Sequence, residues 1–454
     1  MKHTFLKLFY ILIIGLLVFS CNNDDNTTTV DDEPTGQNPT DDEPTTDDEP
    51  TTDDEPTTDD EPTNEEKAGT VEFFNADLTD DNYILINDAG NDRVYLMDKE
   101  SIILHEWDLP SGIGNDVELL SSGKLVGIMK ADDPKIEYGG QGGKLQFVNT
   151  DSSVEWNFDY SSEEYITHHD VELLPNGNLI TIVWEKRTME EAESAGSSLD
   201  IPVFPEAVIE VDPTTDEIVW EWHSWDHLIQ DHDDTKDNFG VVADNPQLIN
   251  LNYVTDKEGD IMHANGIEYD EINDLIYLSV NFYHEVWVID HSTTTEEAAA
   301  HTGGAKGVGG DLVYRFGNPK AYDNAMGERL FRNNHHPRLL SGDDLGKISI
   351  FTNGADLEQS TVYEFQIPDP LSLQPNVDNE PQVTWSFTDP ELYSPKVSGM
   401  VRLPNGNRLI TEGDFGLWEV TESGEVVWKF SSQGFFWRAY SYAKDDPAIM
   451  ALGL

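Results

Sequence analysis

The sequence predicts an all-β fold assembled from repeated four-stranded modules, and three observations predict it. First, one strand–turn–strand phrase recurs. Its fullest copy is Thr167-His168-His169-Asp170-Val171-Glu172-Leu173-Leu174-Pro175-Asn176-Gly177-Asn178, followed by the run Leu179-Ile180-Thr181-Ile182. β-prone flanks around turn residues that preset or tolerate positive φ are the signature of a hairpin. Aligned on the Leu-Leu and turn positions, further copies lead with Asn115, His263, His335 and Ser398. Second, an aromatic–any–apolar triplet marks module ends at Trp107, Trp156, Trp220, Tyr314, Trp385 and Trp428. Third, helical periodicity is nearly absent after Thr70, while β-prone runs such as Tyr83–Asn87, Arg93–Met97, Leu275–Val280 and Glu285–Ile289 are frequent. Such modules cannot bury both faces singly, so they pack radially. Six endings and five legible openings predict a six-bladed β-propeller with four antiparallel strands per blade.

In chain order, Lys2 and Lys7 flank the start of an apolar run from Leu8 to Phe19, which ends at Ser20-Cys21. Residues 1–20 read as a lipoprotein signal peptide, too short to span a bilayer. Val18-Phe19-Ser20-Cys21 resembles a bacterial lipobox, which makes Cys21 the lipidated N-terminus of an exported protein of the outer membrane, on its periplasmic face or at the cell surface. Cys21 is the only cysteine, so no disulfide is expected despite export. Residues 21–68 form an acidic Thr/Asp/Glu/Pro-rich tether, with Thr-Thr-Asp-Asp-Glu-Pro repeating from Thr40 to Thr63. A segment with so little to bury cannot repay its ordering entropy. Residues 69–454 are the propeller domain.

The chain carries a net charge of −63; the tether accounts for −18 and the leader for +2, leaving −47 on the domain. That balance excludes nucleic acid as a partner, since phosphate binding needs a basic face. The module openings are spaced 54, 94, 72 and 63 residues apart, and an insertion at 225–252 accounts for the widest gap. The first opening is worn, so a strand from one terminus closes the ring. Helices are expected only at Thr188–Ala195 and Thr295–His301, both short and polar.

Equivalent positions in a radial repeat face one another at the channel mouth, where propellers bind ligands. The expected ring is Asn115, His169, His263, His335 and Ser398. Neutral imidazole is a nucleophile and proton carrier near neutral pH. Strand alternation lets one of each adjacent pair face the channel, and register favours His335 over His336 and His169 over His168. The three histidines could instead ligate zinc. The stretch from Arg315 to Arg338 is a net +3, which suits an anionic substrate. No Walker loop, no Gly-x-Ser-x-Gly elbow and no cysteine nucleophile is present in the domain.

At these residues the chain resembles the arylsulfate sulfotransferase family. The likeness is carried by His168 to Asn178, Ile218 to Asp231, Ile289 to Thr295, Gly310 to Pro319, Ser398 to Asn407 and Phe436 to Tyr440. The resemblance implies a six-bladed propeller that moves a sulfuryl group from a phenolic sulfate ester to a phenolic acceptor through a sulfohistidine, with no nucleotide donor and no cofactor. It makes His335 the nucleophile and His169 and His263 the other catalytic histidines. The family's site arginine falls on Asn281 here, a neutral donor expected to hold the sulfuryl oxygens with His263; either Arg338 or Arg315 substitutes for the arginine, or the substrate differs, or activity is weak. His336 and Asn115 complete the expected substrate-binding set. The competing expectation is a non-catalytic surface propeller that binds an anionic or aromatic glycan ligand.

Overall fold

A computed structural model describes residues 66–454. The leader, Cys21 and the tether as far as residue 65 lie outside the described residues. Pairing begins ahead of residue 69: Lys67 bridges Ile102, and the Ala68 N–H donates to the Ser101 carbonyl at 2.9 Å. The Ile103 N–H also donates to the Glu66 carbonyl at 2.9 Å, so residues 66–68, assigned to the tether, pair with the domain edge.

The described chain is a β-propeller-like arrangement of antiparallel sheets. The repeated phrase folds as its chemistry requires. At the fullest copy, the Leu174 N–H donates to Asn178 O at 2.8 Å and the Gly177 N–H to Leu174 O at 2.9 Å, with Gly177 at φ 89°. Leu120/Gly123 and Leu403/Gly406 repeat that turn. Each needs positive φ at its third position, which glycine adopts without a steric cost. The aromatic triplets lie on outer strands and stack along them. Trp156–Phe158 and Trp428–Phe430 are near-parallel at 6.1 and 5.9 Å. The faces between sheets are filled by branched aliphatics and tryptophans, among them Ile182, Val208, Trp222, Leu278 and Trp287. Each such side chain contributes about 1.5–3 kcal/mol by leaving water.

The ring closes through the C-terminal strand. Phe436–Tyr442 pairs antiparallel with Tyr83–Asp88, placing Tyr440 opposite Leu85. The first module thus takes its channel-side strand from the end of the chain, which explains its worn opening. The expected six separate four-stranded sheets are found only in part. Three sheets have that form, and a fourth gains Thr70–Phe74 as an edge strand on Val426–Ser431. The eight strands from Ile113–Leu119 to Glu217–His223 form one sheet, because Asn115 and His169 share a parallel bridge. Channel-side strands converge there, so backbones at repeat-equivalent positions come within pairing distance.

The insertion after Trp225 holds a parallel pair, Leu228–Ile229 with Ile249–Asn250. The two expected helices are Met189–Ser194 and Thr295–Ala298, each started by a reciprocal Thr–Glu capping box. A third helix, Pro447–Leu452, follows the closing strand and is capped by Asp446. No helix among the described residues is long and apolar enough to cross a membrane.

Candidate functional site

Five residues at the channel ends of the inner strands hold positive φ without being glycine. They are Asn115 (108°), His169 (61°), His263 (55°), His336 (52°) and Ser398 (87°). Each such backbone costs on the order of 1–3 kcal/mol, and strain of this kind persists where the surroundings over-determine it. Four are the expected ring positions. The fifth is a correction: the strained position is His336, one residue beyond His335. The irregularity between His335 and Arg338 takes up one extra residue where that between His168 and Val171 takes up two, so equivalence in the sequence alignment is not equivalence in space.

The shift gives the two histidines different tasks. His336 is buried; its Nδ1 accepts the Met400 N–H at 3.1 Å, and its Nε2 is buried without a partner. It packs against backbone, since a Cβ on Gly399 would lie 2.2 Å from its Nδ1. His335 lies with its Nδ1 2.6 Å from Asn353 Oδ1. The Asn353 amide nitrogen donates to Ser394 O and Val397 O, both at 2.9 Å. That orientation leaves only the amide oxygen for His335, so Nδ1 carries the proton and Nε2 the lone pair. Burial pushes the imidazole down to about 3, assisted by the charges of His263 and Arg438. His335 Nε2 makes no protein hydrogen bond among the described residues.

Trp437, on the closing strand, stands between the two sides of the cluster. Its ring lies 5.8 Å from His335 and 5.5 Å from His169. His169 meets His263 edge to face at 4.8 Å. Its Nδ1 is 2.7 Å from His168 Nδ1, and His168 Nε2 is 2.8 Å from Glu206 Oε2. His168 stacks on Trp184 at 3.6 Å. Burial holds both imidazoles well below the usual range. His263 is the most accessible of the three, at 17% of its side chain. Its Nδ1 is 2.5 Å from Asp260 Oδ2, and its ring stacks on Phe282. Gly140 holds φ 91° against this group; a Cβ there would lie 2.0 Å from His169 Nε2.

The expected substrate-binding residues are mostly committed elsewhere. Asn281 donates to Asn334 O at 3.1 Å and accepts from Asn333 at 2.9 Å. Arg315 is fully buried against Glu285, Pro246 O and Leu248 O, on an outer strand, and is a structural ion pair rather than a site residue. Arg338 is shared by Glu118 and Glu268 at 3.2 and 3.1 Å. Asn115 bridges His169 through its backbone.

Sequence reasoning missed Arg438. It ion-pairs with Asp116 and Asp170 at 3.2 and 2.9 Å beneath the histidines, its guanidinium lies 5.0 Å from the Trp437 ring, and its Nε is buried without a partner. The motif Phe436 to Tyr440 signalled importance, but only ring closure places it in the channel. Burial pushes Asp116, Glu172 and Glu206 well above the usual carboxylate range and Glu268 to about 7. At the rim, Arg329 donates its Nε to Phe331 O and forms no ion pair among the described residues. Burial, with the charges of Arg329, Arg332 and Lys257, drives His284 down to about 3. His284 accepts the Asn333 N–H at 2.9 Å, which places this cationic group beside Asn281.

The zinc alternative for the ring histidines needs three ligand atoms that converge on one point. Among the described residues, the group with three convergent ligand atoms is His227, His301 and Asp311. There Asp311 Oδ1 lies 2.8 and 2.7 Å from the two Nδ1 atoms, which is hydrogen-bond spacing. Tetrahedral zinc ligands stand about 3.3 Å apart, from bonds near 2.0–2.1 Å. A cavity of about 940 Å³, lined by residues including Tyr277, Leu312, Leu339 and Ile367, sits near Asp270, at the other end of strand Ala264–Asp270 from His263.

A family model described as arylsulfotransferase (ASST) matches residues 117–433. No curated protein matches the chain. Similar solved structures include a protein of unknown function from Bacteroides caccae, at 12% identity over 80% of this chain and 99% of that one, with a TM-score of 0.47. A putative 6-phosphogluconolactonase from Bacteroides fragilis NCTC 9343 has 9% identity over 80% and 98%, with a TM-score of 0.42. The Pseudomonas aeruginosa periplasmic gluconolactonase has 10% identity over 80% and 99%, with a TM-score of 0.42.

Proposed function

The chain belongs to the arylsulfotransferase family, and from that premise we propose that it transfers a sulfuryl group from a phenolic sulfate ester to a phenolic acceptor through a sulfohistidine at His335. The observation that carries the reading is the state of His335: neutral, with Nδ1–H held by Asn353 and the Nε2 lone pair unclaimed. Nε2 attacks sulfur, the N–S bond forms as the ester S–O bond breaks, and the departing phenolate takes a proton from His169. The acceptor phenol then attacks sulfur, the N–S bond breaks, and His169 receives the acceptor's proton. His263, its Nδ1 held by Asp260, lines the place of the sulfuryl oxygens beside His169. Asn281 is occupied by its neighbours, so Arg329 and Lys257 supply the positive rim that draws in the sulfate, and Arg438 supplies positive charge from below.

We read the eight-stranded sheet as two modules joined at one bridge, giving six modules around the channel. We also infer export and lipidation at Cys21, from the leader and Val18 to Cys21. That part is tested by labelling with a fatty acid, which Cys21→Ser should abolish.

The test of the reaction is mass spectrometry after mixing with an aryl sulfate in the absence of acceptor. The expected result is a sulfuryl adduct on His335 and release of about one equivalent of phenol, both lost in His335→Ala. Turnover that survives His335→Ala overturns the mechanism. The occupied Asn281 favours a second reading, a binding propeller, which saturable binding without any turnover would support.

A further inference from the structure

In the proposed reaction His169 must give up a proton in the first half and recover it in the second. A buried, neutral imidazole does this at Nε2 only if Nδ1 gains a proton as Nε2 loses one. His169 Nδ1 faces His168 Nδ1 at 2.7 Å, His168 Nε2 faces Glu206 Oε2 at 2.8 Å, and Glu206 Oε1 accepts the Ala264 N–H at 2.7 Å. Neither His168 nor Glu206 was among the expected site residues, and both are fully buried.

Two hydrogen-bond arrangements satisfy this line. With Glu206 protonated, Oε2–H donates to His168 Nε2, His168 Nδ1–H donates to His169 Nδ1, and His169 presents Nε2–H. With Glu206 ionised, every bond reverses: His168 Nε2–H donates to the carboxylate, His169 Nδ1–H donates to His168, and His169 presents a bare Nε2. Both imidazoles stay neutral throughout, as their burial demands. We propose that Glu206, His168 and His169 form a proton relay that switches His169 Nε2 between donor and acceptor, with Glu206 as the proton store. This rests on the sulfotransferase reading above.

The steps balance. As phenolate leaves, Nε2–H of His169 passes to its oxygen, His168 Nδ1–H passes to His169 Nδ1, and Glu206 Oε2–H passes to His168 Nε2. Acceptor attack runs the same transfers backwards and restores the Glu206 proton. Burial and the nearby Asp260 charge keep the Glu206 carboxyl well above its usual range, which favours the filled store. The other groups facing the relay are His263, whose charge opposes protonation of both imidazoles, and His335 and Arg438, whose charges oppose it at His169. Trp184 covers His168 with a near-parallel ring.

The experiment compares phenyl sulfate with 4-nitrophenyl sulfate in wild type, Glu206→Gln and His168→Phe. The glutamine amide keeps the bond from Ala264 but has no acidic proton to release. The phenylalanine ring keeps the stack on Trp184 but has no nitrogen. A nitrophenolate leaves without help, whereas a phenolate needs the proton. The relay predicts a loss at least about tenfold greater for phenyl sulfate than for nitrophenyl sulfate in both variants. Equal losses on both substrates, or none, overturn it. In parallel, 15N shifts of the full chain labelled at histidine are followed against pH. The relay predicts that His168 and His169 exchange tautomers together in wild type, and that His169 stays an Nε2–H tautomer in Glu206→Gln. Independent titration of the two rings overturns the relay. Failure of wild type to turn over any aryl sulfate instead removes the sulfotransferase reading, and the 15N data still decide the relay.

Discussion

Replacing Asn353 by alanine tests the claim that His335 is held in one tautomer. The side chain is fully buried and makes three hydrogen bonds: to His335 Nδ1 at 2.6 Å, and to Ser394 O and Val397 O at 2.9 Å. At about 1 kcal/mol net for each, Asn353→Ala lowers stability by about 3 kcal/mol. The bond to His335 is the part that bears on rate. Removing a tautomer preference of about 1–1.4 kcal/mol lowers the fraction of enzyme with a lone pair at Nε2 from about 0.85–0.9 to about 0.5, and so lowers kcat by a little under twofold. KM should change little, because no residue that binds the sulfate is touched. The assay is single-turnover release of nitrophenol with enzyme in excess, at a temperature where circular dichroism shows the variant folded. An unchanged His335 tautomer ratio, read from 15N shifts of the folded variant, would refute the argument that Asn353 sets the nucleophile.

The pH profile of the first half-reaction follows from the burial of His335. Its folded value of about 3 lies below the ordinary 6.5, so the lone pair is present above about pH 3 and is lost only as pH falls through that value. No acid limb near pH 6–7 should come from the nucleophile, and a midpoint there assigned to His335 would show that it titrates as a solvated imidazole. The same depression makes this ring a cost to folding below pH 6.5, about 1.4 kcal/mol per pH unit, so the profile must be measured alongside unfolding. Arg315→Met should lower stability by about 3–5 kcal/mol by leaving Glu285 buried and unpaired. The kcat of the folded variant should stay within twofold of wild type, and a selective loss of kcat would return Arg315 to the site.

The legible parts of this protein are those set by local chemistry. Turn residues at Leu174–Asn178 and Leu403–Asn407 specify the hairpins, alternation specifies the strands, and the Thr–Glu pairs specify two helix starts. Reading the repeats in register singled out His169, His263 and His335, whose rings lie together around Trp437 and Phe282. Composition alone established the strong negative charge of the domain.

What the sequence could not show depends on distances between parts of the chain far apart in number. Bulges of different size on the strands of His169 and His335 move the strained backbone from His335 to His336, and alignment has no means of seeing it. Arg438 and Trp437 reach the site because the last strand closes onto the first, and Arg315 leaves it because Glu285, on the neighbouring strand, captures its charge. Asn281 is spent on Asn333 and Asn334, and Glu206 meets His168 only across the strand Leu179–Glu185 that lies between theirs. Local sequence sets which conformations a segment prefers. Which lone pair faces which proton is decided by packing in a buried, low-dielectric site, where every polar atom must find a partner among groups brought together by the whole ring.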